Sequence, residues 1–214
     1  NYGSVLQTYA TQKILEKMGH QVEFVDFWRA DNLEEVRVEK ILQKNSVMRR
    51  LRPFWASTAF TTRLTKQAIA KMLRKNQRNM KNFLEEHIHL STTKYTSIEQ
   101  LMKDPPIADM YITGSDQVWN SQCNSGVERA YFLDYAPPGK NRISFAASIG
   151  RTELDTEEIP ETVALLKKYT AISFREQSGA NLLSSLGTQA QLVLDPTLVL
   201  DAAWWRQHAD YRKC

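Results

Sequence analysis

Met110-Tyr111-Ile112-Thr113-Gly114-Ser115-Asp116-Gln117-Val118-Trp119-Asn120 is the stretch on which the fold turns. A short apolar and β-branched run, Met110 to Thr113, stops abruptly at Gly-Ser-Asp, which reads as a buried strand giving way to a turn. In an open α/β sheet, the crevice outside the carboxyl ends of the strands is where ligands bind. The turn therefore marks a place for function as well as a change of direction.

Outward from this turn, strands and helices alternate. Before it, Val5, Leu6, Tyr9, Ala10, Ile14, Leu15 and Met18 recur at helical spacing and Gly19 follows as a C-cap, predicting a helix from Ser4. Val22, Phe24, Val25 and Phe27 predict a strand over 21–28. After the turn the spacing predicts strands at 142–147, 171–174 and 191–194, and helices at 156–169 and 176–186. Helix and strand in alternation indicate an α/β fold with a parallel, doubly wound, Rossmann-like sheet.

The alternation breaks between Ile41 and Leu84. This stretch favours helix and holds eleven Lys or Arg with no Asp or Glu, so a chain of formal charge +4 carries +11 here and −7 elsewhere. We read 41–88 as a basic helical segment inserted into a domain spanning 1–200, with Pro53-Phe54-Trp55 dividing it into two helical pieces. A solvated basic face is the plain reading of such a run; the functional one is contact with an anionic polymer or a membrane surface. Neither zinc spacing nor an aromatic RNA-binding strand pattern is present, so no nucleic acid partner is expected.

Composition sets outer limits. A chain of 214 residues that is 42% hydrophobic is globular. Its cysteines, Cys123 and Cys214, are far apart and match no metal spacing, which favours a reducing, cytoplasmic setting and no metal. No stretch reaches the roughly 18 apolar residues of a membrane span. The start at Asn1 without a methionine and the uncapped end at Cys214 suggest a fragment, with 201–214 opening a linker or second domain.

Several residues are placed to do chemistry. The Gly114 to Asn120 turn offers a carboxylate, Asp116, with Ser115, Gln117 and Asn120 as hydrogen-bonding groups and Trp119 as a flat ring, a set suited to sugar hydroxyls and an apolar sugar face. The alternative is a structural turn in which the Asp caps backbone amides and Trp119 anchors in the core. Arg175 ends a strand and starts a helix, which aims a bidentate donor at the crevice; an ion pair with Glu176 competes with that role. Asn1, Tyr2, Gly3 and Ser4 would offer backbone amides at a helix start, or merely cap it. Ser144, Ser148 and Gly150 run along the next strand with Ala146 and Ala147, small enough to permit close approach. Asp195-Pro196-Thr197 closes the last strand, as a hinge or as a carboxylate lining the cleft. His20, His87, His89 and His208 fit no ligand pattern.

In order, the segments Asn1-Tyr2-Gly3-Ser4-Val5-Leu6-Gln7, Gly114 to Asn120, Tyr131-Phe132-Leu133-Asp134, Arg142 to Gly150, Ile172 to Gly179 and Leu194 to Leu198 resemble the polysaccharide pyruvyl transferase family. The resemblance covers nearly the whole chain outside the basic segment, and its specificity lies in the ordered set. It implies the N-terminal half of a two-domain fold similar to B-type glycosyltransferases. It also implies transfer of a pyruvyl group from phosphoenolpyruvate to two hydroxyls of a glycan or lipid-linked sugar, forming a cyclic ketal during cell-surface polysaccharide synthesis. That reaction needs a general acid, a general base and an anion site, and neither a metal nor a bound cofactor. On this reading Asp116 and Arg175 are the catalytic candidates. Asn1, Tyr2, Gly3, Ser4, Gly114, Ser115, Gln117, Trp119, Asn120, Ser148 and Asp195 bind substrate, and the donor groups, a histidine among them, come largely from a C-terminal half. Two alternatives stay open: a nucleotide-sugar glycosyltransferase of the same architecture, and a basic module without catalysis whose segment 41–84 makes peripheral membrane or polymer contacts. Acceptor identity and oligomeric state are not legible.

Overall fold

The computed structural model describes residues 2–209, and Asn1 and Cys214 lie outside the described residues. The chain divides into two compact units, one formed by residues up to 23 together with those from 98 onward, the other by 24–97. Both are mixed α/β and both pair their strands in parallel.

The first unit opens with α1 (Tyr2–Lys17), which starts earlier than the sequence suggests, so Gly3 and Ser4 lie in its first turn and not in a turn before it. Its buried residues are Val5, Tyr9, Ala10, Thr11 and Gln12; the last four are consecutive and cover most of the helix circumference, whereas Leu6 and Met18 of the expected apolar stripe are exposed.

In the second unit β1 (Phe24–Phe27) is followed by the helices α2 (Glu34–Lys44), α3 (Ser46–Arg50), α4 (Arg52–Trp55) and α5 (Ala59–His87), and then by β2 (Leu90–Tyr95). Parallel pairing of β1 with β2 requires such a crossover. The strand β2 is not evident in the sequence because Ser91, Thr92, Thr93 and Lys94 are polar and its side chains are mostly exposed. Between Phe24 and Asp26 the register slips, and Ser91 fills the gap by accepting the Asp26 amide at 2.9 Å. Val38 and Leu42 of α2 and Ile69 of α5 form the core of this unit. Pro53 sits in the first turn of α4, where a missing N–H costs nothing, so Pro53-Phe54-Trp55 lies inside a short helix and does not divide the basic stretch into two pieces; the helices are instead separated at Asn45, at Leu51 and over 56–58.

The first unit resumes with α6 (Ile98–Lys103), β3 (Met110–Thr113), α7 (Ser121–Asn124), β4 (Asn141–Ser144), α8 (Ile159–Leu166), β5 (Ser173–Phe174), α9 (Gln177–Ser185), β6 (Gln191–Leu192), α10 (Pro196–Val199) and α11 (Ala202–His208). β3 pairs with β4 and β5 with β6, while parallel bridges Ile143 to Ala171 and Ala147 to Phe174 join the two pairs. Four parallel strands thus lie in the order β3-β4-β5-β6.

β4 stops at Ser144, three residues short of the expected end, because Ala146 takes a left-handed φ of +52°. Side chains replace the lost ladder there. The Ser144 hydroxyl donates to the Ser173 carbonyl at 3.0 Å and accepts its amide at 2.9 Å, while the Ser173 hydroxyl donates to the Ser144 carbonyl and accepts the Ala146 amide. Two hydroxyls therefore hold the seam between β4 and β5, where bulkier side chains would force the strands apart.

The core of this unit gathers around Trp119. Its indole stacks on Phe132 with ring centroids 5.2 Å apart, meets Tyr169 edge-on and packs on Phe174. Leu165, Leu166 and Leu183 complete the cluster.

At the edge of this core the nearly buried Asp134 carboxylate accepts from Arg129 and Lys168, whose cations are half-exposed. Burial pushes its carboxyl up, but the Lys168 and Arg129 hydrogen bonds and charges outweigh that and hold it below the ordinary range. A depressed folded-state value means that the stabilisation is complete above the unfolded value of about 4 and is lost as pH falls through the folded one. Denaturant titrations should therefore show stability falling below about pH 4, with a shallower slope in Asp134→Asn; an unchanged slope in the variant would remove Asp134 as a source of the acid sensitivity.

Candidate functional site

Because β3, β4, β5 and β6 run parallel, their carboxyl ends open on one edge, and each strand end delivers one part of the candidate site. Asp116 follows β3, Ser148 and Gly150 follow β4, Arg175 follows β5 and Asp195 follows β6. The first two turns of α1 reach the same edge through Ser4 and Gln7.

Arg175 lies at the centre. One guanidinium nitrogen donates to the Ser115 carbonyl at 2.7 Å and to Asp195 Oδ2 at 3.0 Å. Asp116 stands 3.7 Å from the other terminal nitrogen, and Glu176 stands 3.6 Å from Nε. Three carboxylates surround one guanidinium, which leaves two negative charges in excess. Such a cation is already neutralised, and its contacts hold the carboxylates in place. The competing ion pair with Glu176 foreseen in the sequence forms, together with two others.

Asp195 is the most strongly held acid. Its Oδ1 accepts the Thr197 amide at 3.0 Å and hydroxyl at 2.7 Å as the N-cap of α10, and its Oδ2 accepts from Gln7 at 2.6 Å as well as from Arg175. Burial pushes its carboxyl up, but Thr197, Gln7 and Arg175 outweigh that and keep it below the ordinary range. It stays ionised throughout the neutral range and is a poor proton acceptor.

Asp116 is different. Its side chain is 45% exposed, accepts the Ser4 hydroxyl at 2.5 Å on Oδ2 and the Gln117 amide at 2.8 Å on Oδ1, and has lone pairs left facing solvent. Its own carbonyl accepts the Ser148 amide at 3.2 Å, and the Ser148 carbonyl accepts the Trp119 amide, so the turn is clamped to the end of β4. Glu176 adds a second clamp by accepting the Ile149 amide at 3.1 Å.

The remaining candidates divide by burial. Tyr2, Gly3 and Gln117 are exposed; Asn1 lies outside the described residues. Ser115, Trp119, Asn120 and Ser148 are buried. The Trp119 ring lies in the core, as the alternative reading of the turn holds, because Val118 and the Asn120 cap turn the chain inward into α7. Asn120 caps α7 through its carbonyl oxygen and donates its amide to Gln117 at 2.8 Å. Ser115 contributes its carbonyl to Arg175, while its hydroxyl is buried.

Two glycines are required by these contacts. A Cβ at Gly114, where φ is +129°, would fall 2.0 Å from the Phe145 carbonyl oxygen, and one at Gly150 would meet the paired Gln117 and Asn120 side chains at 2.8–2.9 Å.

Gln7 carries no role in the sequence reading, yet it holds Asp195. The signal was available: Gln7 lies three residues beyond Ser4, on the same face of α1. Among the described residues no group of His, Cys, Asp and Glu could hold a metal ion, and no helix is long and apolar enough to cross a membrane.

The sequence profile of the polysaccharide pyruvyl transferase family matches residues 1–213, and the chain belongs to that family. No curated protein and no solved structure gives a significant match.

If Arg175 is the tie between the strand ends, Arg175→Met and Asp195→Asn should couple. A double-mutant cycle read by urea unfolding is expected to give about 1–3 kcal/mol of interaction energy; coupling under about 0.5 kcal/mol, the level expected of independent sites, would show that the pair contributes no tie. Gly114→Ala should destabilise the protein by more than the roughly 1 kcal/mol typical of point substitutions, since both its φ and its lack of space oppose a side chain.

Proposed function

We propose that this chain forms the sugar-acceptor side of a polysaccharide pyruvyl transferase, in which a pyruvyl group from phosphoenolpyruvate is transferred to two sugar hydroxyls as a ketal. The observation that carries this reading is the pair of unlike carboxylates at one strand-end edge. Asp195 is fixed and ionised, and Asp116 is partly open to solvent and anchored by Ser4. An anchored, accessible carboxylate is placed to accept the proton of an attacking hydroxyl. The four-stranded parallel order supports a Rossmann-like half of a two-domain, B-type glycosyltransferase-like architecture.

The charge of the edge decides between donor and acceptor. Each excess carboxylate would cost a phosphate about 3 kcal/mol per unit charge at about 5 Å and an effective dielectric of about 20. Sugar hydroxyls meet the opposite situation, because a carboxylate accepts their protons in strong, short hydrogen bonds. Arg175 is accordingly a positioning residue that keeps Asp116 and Asp195 at fixed separation, and phosphoenolpyruvate is held by groups other than these.

In the reaction as read here, Asp116 takes the proton from one acceptor hydroxyl as its oxygen attacks C2 of the donor. An acid elsewhere protonates the methylene carbon, phosphate leaves with the C2–O electron pair, and the second hydroxyl closes the ketal as its proton passes to the departing phosphate. Fixing the hydroxyls beside the base supplies much of the rate by orientation. A nucleotide sugar bound in place of phosphoenolpyruvate would assign the same edge to glycosyl transfer.

In the full-length protein with a pyruvylatable glycan, Asp116→Asn should lower kcat for phosphate release by about 10²–10⁴-fold and leave the KM for phosphoenolpyruvate within about threefold. A matching rise in that KM with kcat intact would place Asp116 on the donor side and overturn the assignment. Ser4→Ala, which removes only the anchor, should cost about tenfold in kcat.

A further inference from the structure

The unit of residues 24–97 carries a surface that the strand-end chemistry does not use. Val47, Leu51 and Phe54 recur at i, i+4 and i+7 along α3 and α4, which are nearly continuous because the Leu51 amide donates to Val47 and the Trp55 amide to Leu51. All three are exposed, Phe54 at 75%. On α5, Phe60 is 70% exposed and Leu64 48%, one turn apart. Helical spacing sets them on the side opposite Ile69, which is buried, and carries the same outer stripe on through Lys71, Lys75 and Arg78, all exposed.

The inner side is occupied and locked. Trp55 donates its indole N–H to the Met48 carbonyl at 2.7 Å, Thr62 donates to the Trp55 carbonyl at 3.2 Å, and Met48, Trp55, Ala70 and Leu73 pack against the Val38, Leu42 and Ile69 core. The exposed phenylalanines are therefore not the core face of badly packed helices; that face is already filled.

The charges around the stripe are of one sign. Of the eleven cations in 41–84, Lys66 pairs with Glu39, Arg74 with Glu34 and Lys81 with Glu85, all acids outside that stretch. Lys44, Arg49, Arg50, Arg52, Arg63, Lys71, Lys75 and Arg78 have no carboxylate partner among the described residues, and Arg49 and Arg52 line an open groove with Pro53 and Ala56. Large apolar side chains in water beside unneutralised cations describe an interfacial surface, with rings for the acyl boundary and guanidinium and ammonium groups for phosphates. A soluble polyanion would account for the cations and leave Phe54 and Phe60 without a function.

We propose that the α3–α4–α5 face docks on an anionic phospholipid bilayer, seating Phe54 and Phe60 in the headgroup region with Arg49, Arg52, Arg63 and Lys71 against lipid phosphates. This stands independently of the pyruvyl transfer reading, and its test uses no substrate. Co-sedimentation of the full chain is measured with phosphatidylglycerol–phosphatidylcholine vesicles and with phosphatidylcholine alone, for the parent protein and two doubly substituted variants. Binding is expected only with the anionic vesicles and to weaken with salt. Phe54→Ser with Phe60→Ser should reduce it about tenfold or more, and Arg63→Gln with Lys71→Gln by a comparable factor. All four side chains are exposed, and circular dichroism checks that each variant stays folded. Absence of vesicle binding in the folded parent overturns the proposal. Binding that survives the phenylalanine changes and is matched by soluble heparin would make the face a polyanion site and also overturn it, as would self-association that the phenylalanine changes abolish without any vesicle binding.

Discussion

The guanidinium of Arg175 ties together what would otherwise be independent strand ends. It reaches the turn after β3 through the Ser115 carbonyl, the cap of α10 through Asp195, and its own helix start through Glu176. Removing it would leave three carboxylates facing one another with little solvent around Asp195, a repulsive arrangement that no remaining cation in the cluster could offset. Bringing the carboxylates close and making one of them available to solvent are thus the work of a single side chain. This dependence explains why a fixed, planar donor occupies the position, since an ammonium groups its three donors on one freely rotating centre and could not span several elements in a set geometry.

Much of this was legible from residue pattern. The strand Met110–Thr113 has the expected bounds, and Asp116, Arg175 and Asp195 converge as strand ends in a parallel sheet must. What pattern could not supply was direction. Ser115, Gln117, Trp119 and Asn120 are neighbours in a polar turn, yet only Gln117 faces water. The others turn inward because the backbone, which needs glycine at 114 for space against Phe145, sends the chain into the core before α7 begins. Period-based reading assigns faces along regular elements and loses them at a turn. The β2 strand was missed for a related reason: its ladder depends on a register slip filled by the Ser91 hydroxyl, and such a repair leaves no periodic trace.

The separation of charge along the sequence is repeated in the two units. The acids Glu34 and Glu39 of α2 pair with Arg74 and Lys66 on α5. Such surface pairs add little to stability. Their effect is to leave the remaining cations, on the outward stripe of α5 and around α4, without internal partners. A helix with cations on every face would repel itself and gain nothing from packing; one whose inner cations are paired can present the rest to an anionic surface while keeping a stable core.

The strand-end edge follows the reverse logic, and the contrast bears on substrate class. There the surplus is negative, held close by one cation and by the dipoles of Thr197, Gln7 and Ser4. Donors of this kind are largely neutral, so they fix the carboxylates without cancelling them, and the negative field persists at the open side of Asp116. A ligand entering that field gains by bringing hydroxyl protons and loses by bringing phosphate. A change as small as Asp195→Asn removes one charge from that field while the Ser4 and Gln117 contacts keep Asp116 in its place.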